Sequence, residues 1–147
     1  MKIIGMDHIA LAVKDLESSL AFWQRLFGLK ASPIEVLAER GVRVVRLEPD
    51  RGAALELVSP LREDSPVSNF LRERGEGVHH LCLEVRELEA AMDELRAKGA
   101  DFLQGRPQRG AEGSLIAFLH PRSCGGVLVE LREVRKKEDI RPKGSGR

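Results

Sequence analysis

The sequence of 147 residues predicts an α+β fold built from two βαβββ modules in one chain. Three observations lead to this prediction. Short apolar runs with alternating polar residues indicate strands, and two segments with apolar residues three and four positions apart indicate amphipathic helices. The same order of elements occurs twice, and one such module alone could not bury its own sheet face. We therefore expect a single domain in which the two modules form one incomplete, barrel-like cleft.

The first module is expected at residues 6–59 and begins with a strand. Asp15 suits the N-cap of the following helix, and Gly28 suits the left-handed position at which that helix ends. The inward face of this helix is expected to consist of Leu16, Leu20, Trp23 and Phe27. Strands of this module are predicted at 6–13, 29–37, 41–47 and 53–58.

The second module is expected at residues 79–132 and repeats the order of the first. Its helix, at 87–98, should turn Leu88, Met92 and Leu95 inward. A short helix that begins at Ser65-Pro66 joins the modules. The domain therefore covers 1–134, and the charged residues 135–147, which lack an apolar period, are expected to form a flexible tail. Strands of the second module are predicted at 79–85, 101–103, 115–119 and 126–131.

The composition is that of an ordinary globular protein, with 42% hydrophobic and 32% charged residues. The net charge of +1 gives no electrostatic reason to expect a nucleic acid or an anionic membrane as a partner. No apolar run approaches the roughly 20 residues of a membrane-spanning helix, and the start lacks the apolar core of a signal peptide. We expect a cytoplasmic protein in which Cys82 and Cys124 are free thiols.

Two pairs of His and Glu recur in the predicted strands. His8 and Glu56 lie in the first module, and His80 and Glu130 lie at nearly the same spacing in the second. A lone histidine on an apolar strand usually hydrogen-bonds within the core, and a lone glutamate usually faces solvent. The repetition favours a different interpretation, because a pseudo-two-fold between the modules would bring all four side chains to one cleft. Two imidazoles and two carboxylates without a thiolate suit a divalent Co, Ni, Mn, Zn or Fe ion.

Longer strings of residues carry a resemblance to a known family. They are DHIALAV, LELVSP, DSPVSNFL, GEGVHHLCLEV, the GA-x-G pattern at 110–113 and FLHPRSCGGVLVEL. With them the chain resembles the vicinal oxygen chelate superfamily from about Met6 to Val134. The last two strings and the DSPVSNFL helix start are the more particular to the methylmalonyl-CoA epimerases within it. The resemblance implies a glyoxalase-like fold.

The resemblance also implies a reaction, which is the interconversion of (2R)- and (2S)-methylmalonyl-CoA through a metal-stabilised enolate. The implied metal ligands are His8, Glu56, His80 and Glu130, with cobalt as the favoured metal. Glu56 is the most variable of the four positions, since some members of the family have Gln there. Glu130 is also the implied catalytic base.

The chain departs from the family pattern at Val44, where some epimerases have a catalytic glutamate. Glu39 and Glu112 are the remaining candidates for the second acid or base. An acyl-CoA is the expected small-molecule partner, and a homodimer is the oligomer that the family implies. The residues expected to contact the substrate are Arg109, His120, Arg122 and Ser123.

Three other functions of the same fold remain open. Glyoxalase I, which isomerises a glutathione hemithioacetal, uses a similar ligand set. An extradiol dioxygenase needs Fe²⁺ with two His and one carboxylate, so a fourth ligand at Glu56 disfavours it. A metal-free binding or resistance protein would have no need of four ligand-type side chains at matched positions.

Overall fold

In the computed structural model, which describes residues 1–134, the chain divides into two compact units. The first unit is His8–His79, and within the described residues the second unit combines Met1–Asp7 with residues 80–134. The helices are Leu16–Phe27 (α1), Pro66–Arg74 (α2) and Leu88–Ala97 (α3). The strands are Gly5–Ala12 (β1), Lys30–Ala31 (β2), Glu35–Leu37 (β3), Val42–Glu48 (β4), Ala54–Pro60 (β5), Gly77–Val85 (β6), Gln108–Arg109 (β7), Leu115–Leu119 (β8) and Val129–Glu133 (β9).

The sheet of the first unit is mixed and carries α1 on one face. Strand β5 pairs in parallel with β1 and antiparallel with β4, and the short β2 and β3 both pair with β4. Leu16 of α1 packs with Leu47 and Leu57 of the sheet, and all three are buried. Burial of each such leucine stabilises the fold by roughly 1.5–3 kcal/mol. Alternate side chains of these strands project from the opposite face of the sheet, away from α1.

The second unit repeats this arrangement. Strand β9 pairs in parallel with β6 and antiparallel with β8, and β8 pairs with β7. Leu88 and Met92 of α3 pack against Leu131 of β9, again on one face of the sheet. The predicted α+β fold with two βαβββ modules is thereby confirmed in its elements.

The boundaries of the helices follow the sequence signals. The Asp15 side chain accepts a hydrogen bond from the Ser18 N–H at 2.8 Å, and Gly28 ends α1 with a φ of 62°. Ser65 caps α2, whose first turn contains Pro66. Phe27 was expected to point inward but is 61% exposed, with its ring against that of Trp23. It lies in the last turn of the helix, beyond the edge of the sheet contacts made by Leu16 and Leu20.

Two strand predictions were wrong. The run at 29–37 is interrupted at Ser32-Pro33 and gives the separate strands β2 and β3, since proline has no N–H for the ladder. The segment 101–103 makes only an isolated bridge from Phe102 to Leu119, and the two-residue strand β7 follows instead. The tail predicted at 135–147 lies outside the described residues.

Cys82 is buried and Cys124 is partly buried, and both are free thiols as expected. Burial raises the pKa of the Cys124 thiol, so this group is a poor nucleophile at neutral pH. None of the helices within residues 1–134 is long and apolar enough to cross a membrane.

Candidate metal centre

The first unit contains the first His/Glu pair, on the sheet face opposite α1. His8 of β1 lies beside Ala54 of β5 in the parallel register, so Glu56, two residues further, projects from the same face. Leu55 and Leu57 project from the other face into the core below α1. His8 Nε2 and Glu56 Oε1 are 3.7 Å apart, and both side chains are buried.

The second unit contains the second pair in the same arrangement. Cys82 of β6 is the register partner of Glu130 of β9, so His80, two residues earlier on β6, shares the face of Glu130. His80 Nε2 and Glu130 Oε2 are 2.8 Å apart, and both side chains are again buried. The structure therefore brings His8 to Glu56 and His80 to Glu130, as the repeat in the sequence predicts within each module.

The two units differ at the position directly opposite the glutamate on the neighbouring antiparallel strand. In the second unit this position is Phe118, whose ring meets the His80 ring edge-on with a centroid distance of 5.2 Å. In the first unit it is Arg46, which is 8% exposed and whose Nε donates to Glu48 Oε1 at 2.9 Å. One glutamate thus has an aromatic neighbour and the other has a cationic neighbour.

The donor sets of both units suit a divalent metal ion. A buried carboxylate is unfavourable unless a cation or hydrogen-bond donors compensate its charge. Two ligands that each lie about 2.1 Å from one ion are about 3.0–3.4 Å apart, and the observed separations of 3.7 Å and 2.8 Å lie on either side of that range. Each pair thus supplies one imidazole and one carboxylate, which are ligand types that bind such an ion.

The side chains predicted to contact the substrate lie in two places within the second unit. His120 Nδ1 accepts from the Arg122 N–H, while the Arg122 guanidinium pairs with Asp101, whose N–H donates to Ser123 Oγ. These residues form a turn after β8. Arg109 lies on β7, beside the first residue of β8, and donates to the Gly113 carbonyl. Their contact with a substrate stays a prediction.

The candidates for a second acid or base differ in their surroundings. Val44 is buried in β4 opposite Val58 and cannot transfer a proton. Glu39 lies exposed in a short turn before β4. Glu112 lies in the turn before β8, where its carboxylate reaches the Arg132 guanidinium at 3.5 Å.

Three residues near the His/Glu pairs were not predicted from the sequence, namely Arg132, Arg46 and Phe118. Arg132 lies two residues after Glu130 on a strand, so period-two alternation alone would have placed both on one face. Arg46 and Phe118 are recognised only from the register of β4 with β5 and of β8 with β9. No local signal in the sequence gives that register.

Comparison with known proteins gives a family match over most of the chain. The family model of the glyoxalase/bleomycin resistance protein/dioxygenase superfamily matches residues 7–118. The human mitochondrial methylmalonyl-CoA epimerase is 40% identical over 129 residues, which cover 87% of this chain and 73% of that protein. The ethylmalonyl-CoA/methylmalonyl-CoA epimerase of Cereibacter sphaeroides is 37% identical, over 88% of this chain and 97% of its own length.

Solved structures agree with the sequence relatives. A variant of the Streptomyces coelicolor methylmalonyl-CoA epimerase, in complex with 2-nitronate-propionyl-CoA, superposes with a TM-score of 0.88 at 36% identity. The match covers 92% of this chain and 100% of that one. The expected glyoxalase-like fold is confirmed by this likeness.

Proposed function

Because the chain belongs to the glyoxalase/bleomycin resistance protein/dioxygenase superfamily, we propose that it is a methylmalonyl-CoA epimerase. In this proposal it binds one divalent metal ion through His8, Glu56, His80 and Glu130. It interconverts (2R)- and (2S)-methylmalonyl-CoA by removing the C2 proton and returning a proton to the opposite face. Two relatives with this activity in their names are 40% and 37% identical to the chain.

The observation that carries the proposal is the second buried His/Glu pair, which repeats the first at equivalent strand positions. A single buried His/Glu pair could be purely structural, with each side chain serving as the hydrogen-bond partner of the other. Two pairs at matched positions of two units, each with a carboxylate at most 6% exposed, supply the ligand number and types that a catalytic divalent ion needs.

The chemistry at C2 needs a cation, a base and an acid. A bound divalent ion would act as a Lewis acid that offsets the negative charge developing on the thioester oxygen. The Glu130 carboxylate takes the C2 proton, and the electron pair of the broken C–H bond delocalises into the thioester carbonyl. Return of a proton from the other face completes the reaction with no net change in charge. Glu39 is the carboxylate of this chain that we consider for the second position, because the carboxylate of the other candidate, Glu112, pairs with the Arg132 guanidinium.

The surroundings of Glu130 suit the role of base. It lies next to the rings of His80 and Phe118, and it is 4% exposed, so water is largely excluded from it. Electrostatic interactions with a developing charge are stronger in such a site than in bulk water. Glu56 lies opposite Arg46 on β4, and we assign it the role of a metal ligand.

The test is an NMR experiment in D₂O with protein reconstituted with a divalent metal. We expect loss of the C2 proton signal of (2S)-methylmalonyl-CoA together with formation of the 2R epimer, and neither without metal. A glutathione hemithioacetal is offered in parallel. Turnover of the hemithioacetal alone would contradict the proposal and indicate glyoxalase I, and no turnover of either compound would indicate a binding protein. Cobalt as the metal, a homodimer and a cytoplasmic location stay predictions.

A further inference from the structure

We propose that Arg132 binds the free carboxylate of a malonyl-type thioester and that Glu112 is the resident carboxylate which this substrate displaces. The inference rests on the proposed function and adds a residue that selects the substrate. It concerns the second unit only, in which both side chains lie.

Arg132 projects from the same sheet face as the proposed base. It follows Glu130 by two residues on β9, whereas Leu131 between them packs into the core with α3. Its side chain is 23% exposed. A malonyl thioester bears a carboxylate on C2. When C2 lies at Glu130, the cationic side chain of Arg132 is two residues further along the same strand and can bind that carboxylate.

Buried partners fix the orientation of the Arg132 guanidinium. Its Nε donates to Ser114 Oγ at 2.9 Å, and its Nη1 donates to Asp7 Oδ1 at 3.2 Å. Ser114 and Asp7 are themselves buried. A guanidinium held in this way presents its donors in a fixed geometry, which is the arrangement that recognises a planar carboxylate.

Glu112 contacts the remaining edge of the Arg132 guanidinium more weakly than Ser114 and Asp7 contact the other edges. Its Oε2 lies 3.5 Å from Nη2, longer than the contacts to Ser114 and Asp7, and its side chain is 58% exposed. An ion pair exposed to this degree stabilises little. An external carboxylate with good geometry can replace it at small cost.

The backbone of Glu112 is also unusual. It is the residue other than glycine in the described part of the chain that has a positive φ, at 57° with a ψ of 23°. Left-handed backbone is unfavourable for a residue with a Cβ. The turn nevertheless holds it there, through the Gly110 N–H bond to the Ser114 carbonyl and the Ser114 bonds to the Ala111 carbonyl.

Charge determines that the substrate must displace Glu112 and not merely join it. Asp7, Glu84 and Glu112 all lie within 4 Å of the one guanidinium. A further carboxylate would face strong repulsion from these three. Exchange of Glu112 for the substrate carboxylate leaves the local charge unchanged, and the exposed side chain of Glu112 can turn toward water.

The experiment compares two ligands that differ by this carboxylate, methylmalonyl-CoA and propionyl-CoA. Binding is measured by calorimetry on the metal-reconstituted protein. Substitution Glu112→Gln should increase the affinity for methylmalonyl-CoA about threefold to tenfold. It should change the affinity for propionyl-CoA less than twofold. Arg132→Met should lower the affinity for methylmalonyl-CoA about tenfold or more and leave the affinity for propionyl-CoA unchanged. The affinity of Arg132→Lys for methylmalonyl-CoA should lie between those of the wild type and Arg132→Met.

The matched control is Glu17→Gln, which removes the carboxylate of the exposed ion pair with Arg43 in the first unit and should change neither affinity. Arg132→Met leaves buried Asp7 without this partner, so its fold is checked by thermal denaturation. If it fails to fold, Glu112→Gln and Arg132→Lys decide the outcome. Unchanged discrimination between the ligands in these variants, with C2 proton exchange intact in the wild type, would overturn this inference alone. Absence of both binding and exchange in the wild type would overturn the proposed function with it.

Discussion

Glu56 and Glu130 occupy equivalent positions of the repeat, yet the residues opposite them differ. Glu130 pairs with His80 and faces Phe118 across the β8–β9 ladder, whereas Glu56 faces Arg46 across the β4–β5 ladder. This difference in surroundings is the basis on which we propose Glu130 as the base and Glu56 as a ligand only.

Substitution Glu130→Gln should therefore remove activity by removing the proton acceptor. We expect kcat for epimerisation to fall about 10²–10⁴-fold, the usual contribution of a general base, together with weaker metal binding. Glu56→Gln is the matched variant, and its loss should be smaller because an amide oxygen can still coordinate a metal. NMR exchange assays and metal titrations give both quantities. Retention of metal and activity in Glu130→Gln would contradict the assignment.

Phe118 should position His80. Substitution Phe118→Leu removes the edge-on ring contact, and we expect a loss of about 1 kcal/mol in the free energy of unfolding. Metal affinity should fall about tenfold, as it does when the support of a ligand is removed. Phe70→Leu removes a similar ring contact to His79, with a centroid distance of 4.9 Å, and should affect stability alone. Equal metal affinity in both variants, measured by calorimetry, would show that Phe118 is only structural.

The sequence allows the two His/Glu pairs to be predicted but not the residues around them. His8, Glu56, His80 and Glu130 are found from the internal repeat, because duplication places equivalent strands at equivalent positions. The contact of Glu112 with Arg132 joins residues 20 positions apart. It depends on a left-handed turn at a glutamate, for which the sequence holds no signal, since glycine or asparagine is the usual residue there.

At the scale of elements, the start of each module's main helix shows how the repeat has diverged. Asp15 caps α1 through the Ser18 N–H, but Glu87, at the equivalent position before α3, makes no side-chain cap. Glu133 of β9 accepts from the Leu88 N–H at 3.0 Å in its place. Both helices could be predicted from their apolar period. The source of the second cap could not, because it comes from a strand 45 residues further along the chain.

This difference predicts an unequal response to alanine. Asp15→Ala should lower the melting temperature by about 3 °C at pH 7, and Glu87→Ala should change it by clearly less. Hydrogen bonds from Ser18 lower the pKa of the Asp15 carboxyl below its usual value of 3.8. A lowered pKa in the folded state means that the stabilisation is present above 3.8 and is lost as pH falls through the folded value. Thermal melts at pH 7 and in acid check this, and a constant difference between Asp15→Ala and wild type would contradict it.

Short strands mark the limit of prediction at this scale. β7 contains two residues, too few for any alternation to be detected, and it is held to β8 by pairing at Gln108 and Arg109. β2 and β3 were predicted as one strand because the apolar run continues across Pro33. The longer β4, β5 and β8 were predicted within one or two residues, since their core-facing side chains alternate.

At the scale of the whole molecule, the number of metal ions per chain tests whether the two units act together. Each unit provides one imidazole and one carboxylate, and two protein ligands are fewer than the three or four that catalytic and structural sites supply. We therefore expect one divalent ion per chain, bound by both pairs. Metal at about 100 times its dissociation constant should add about 2.7 kcal/mol of stability, or roughly 5–10 °C in melting temperature.

The single-site prediction has a sharp consequence for substitutions. His8→Ala and His80→Ala lie in different units, and each should abolish most of the thermal shift because both would damage the same site. His120→Ala, in the turn after β8, is the control and should keep the full shift. Calorimetry gives the stoichiometry and denaturation gives the shift. Two ions per chain, or a His8→Ala protein that retains one ion at unchanged affinity, would mean that each unit binds metal alone. A shared ion would in turn explain why both pairs are present although the residues opposite the two glutamates, Arg46 and Phe118, differ.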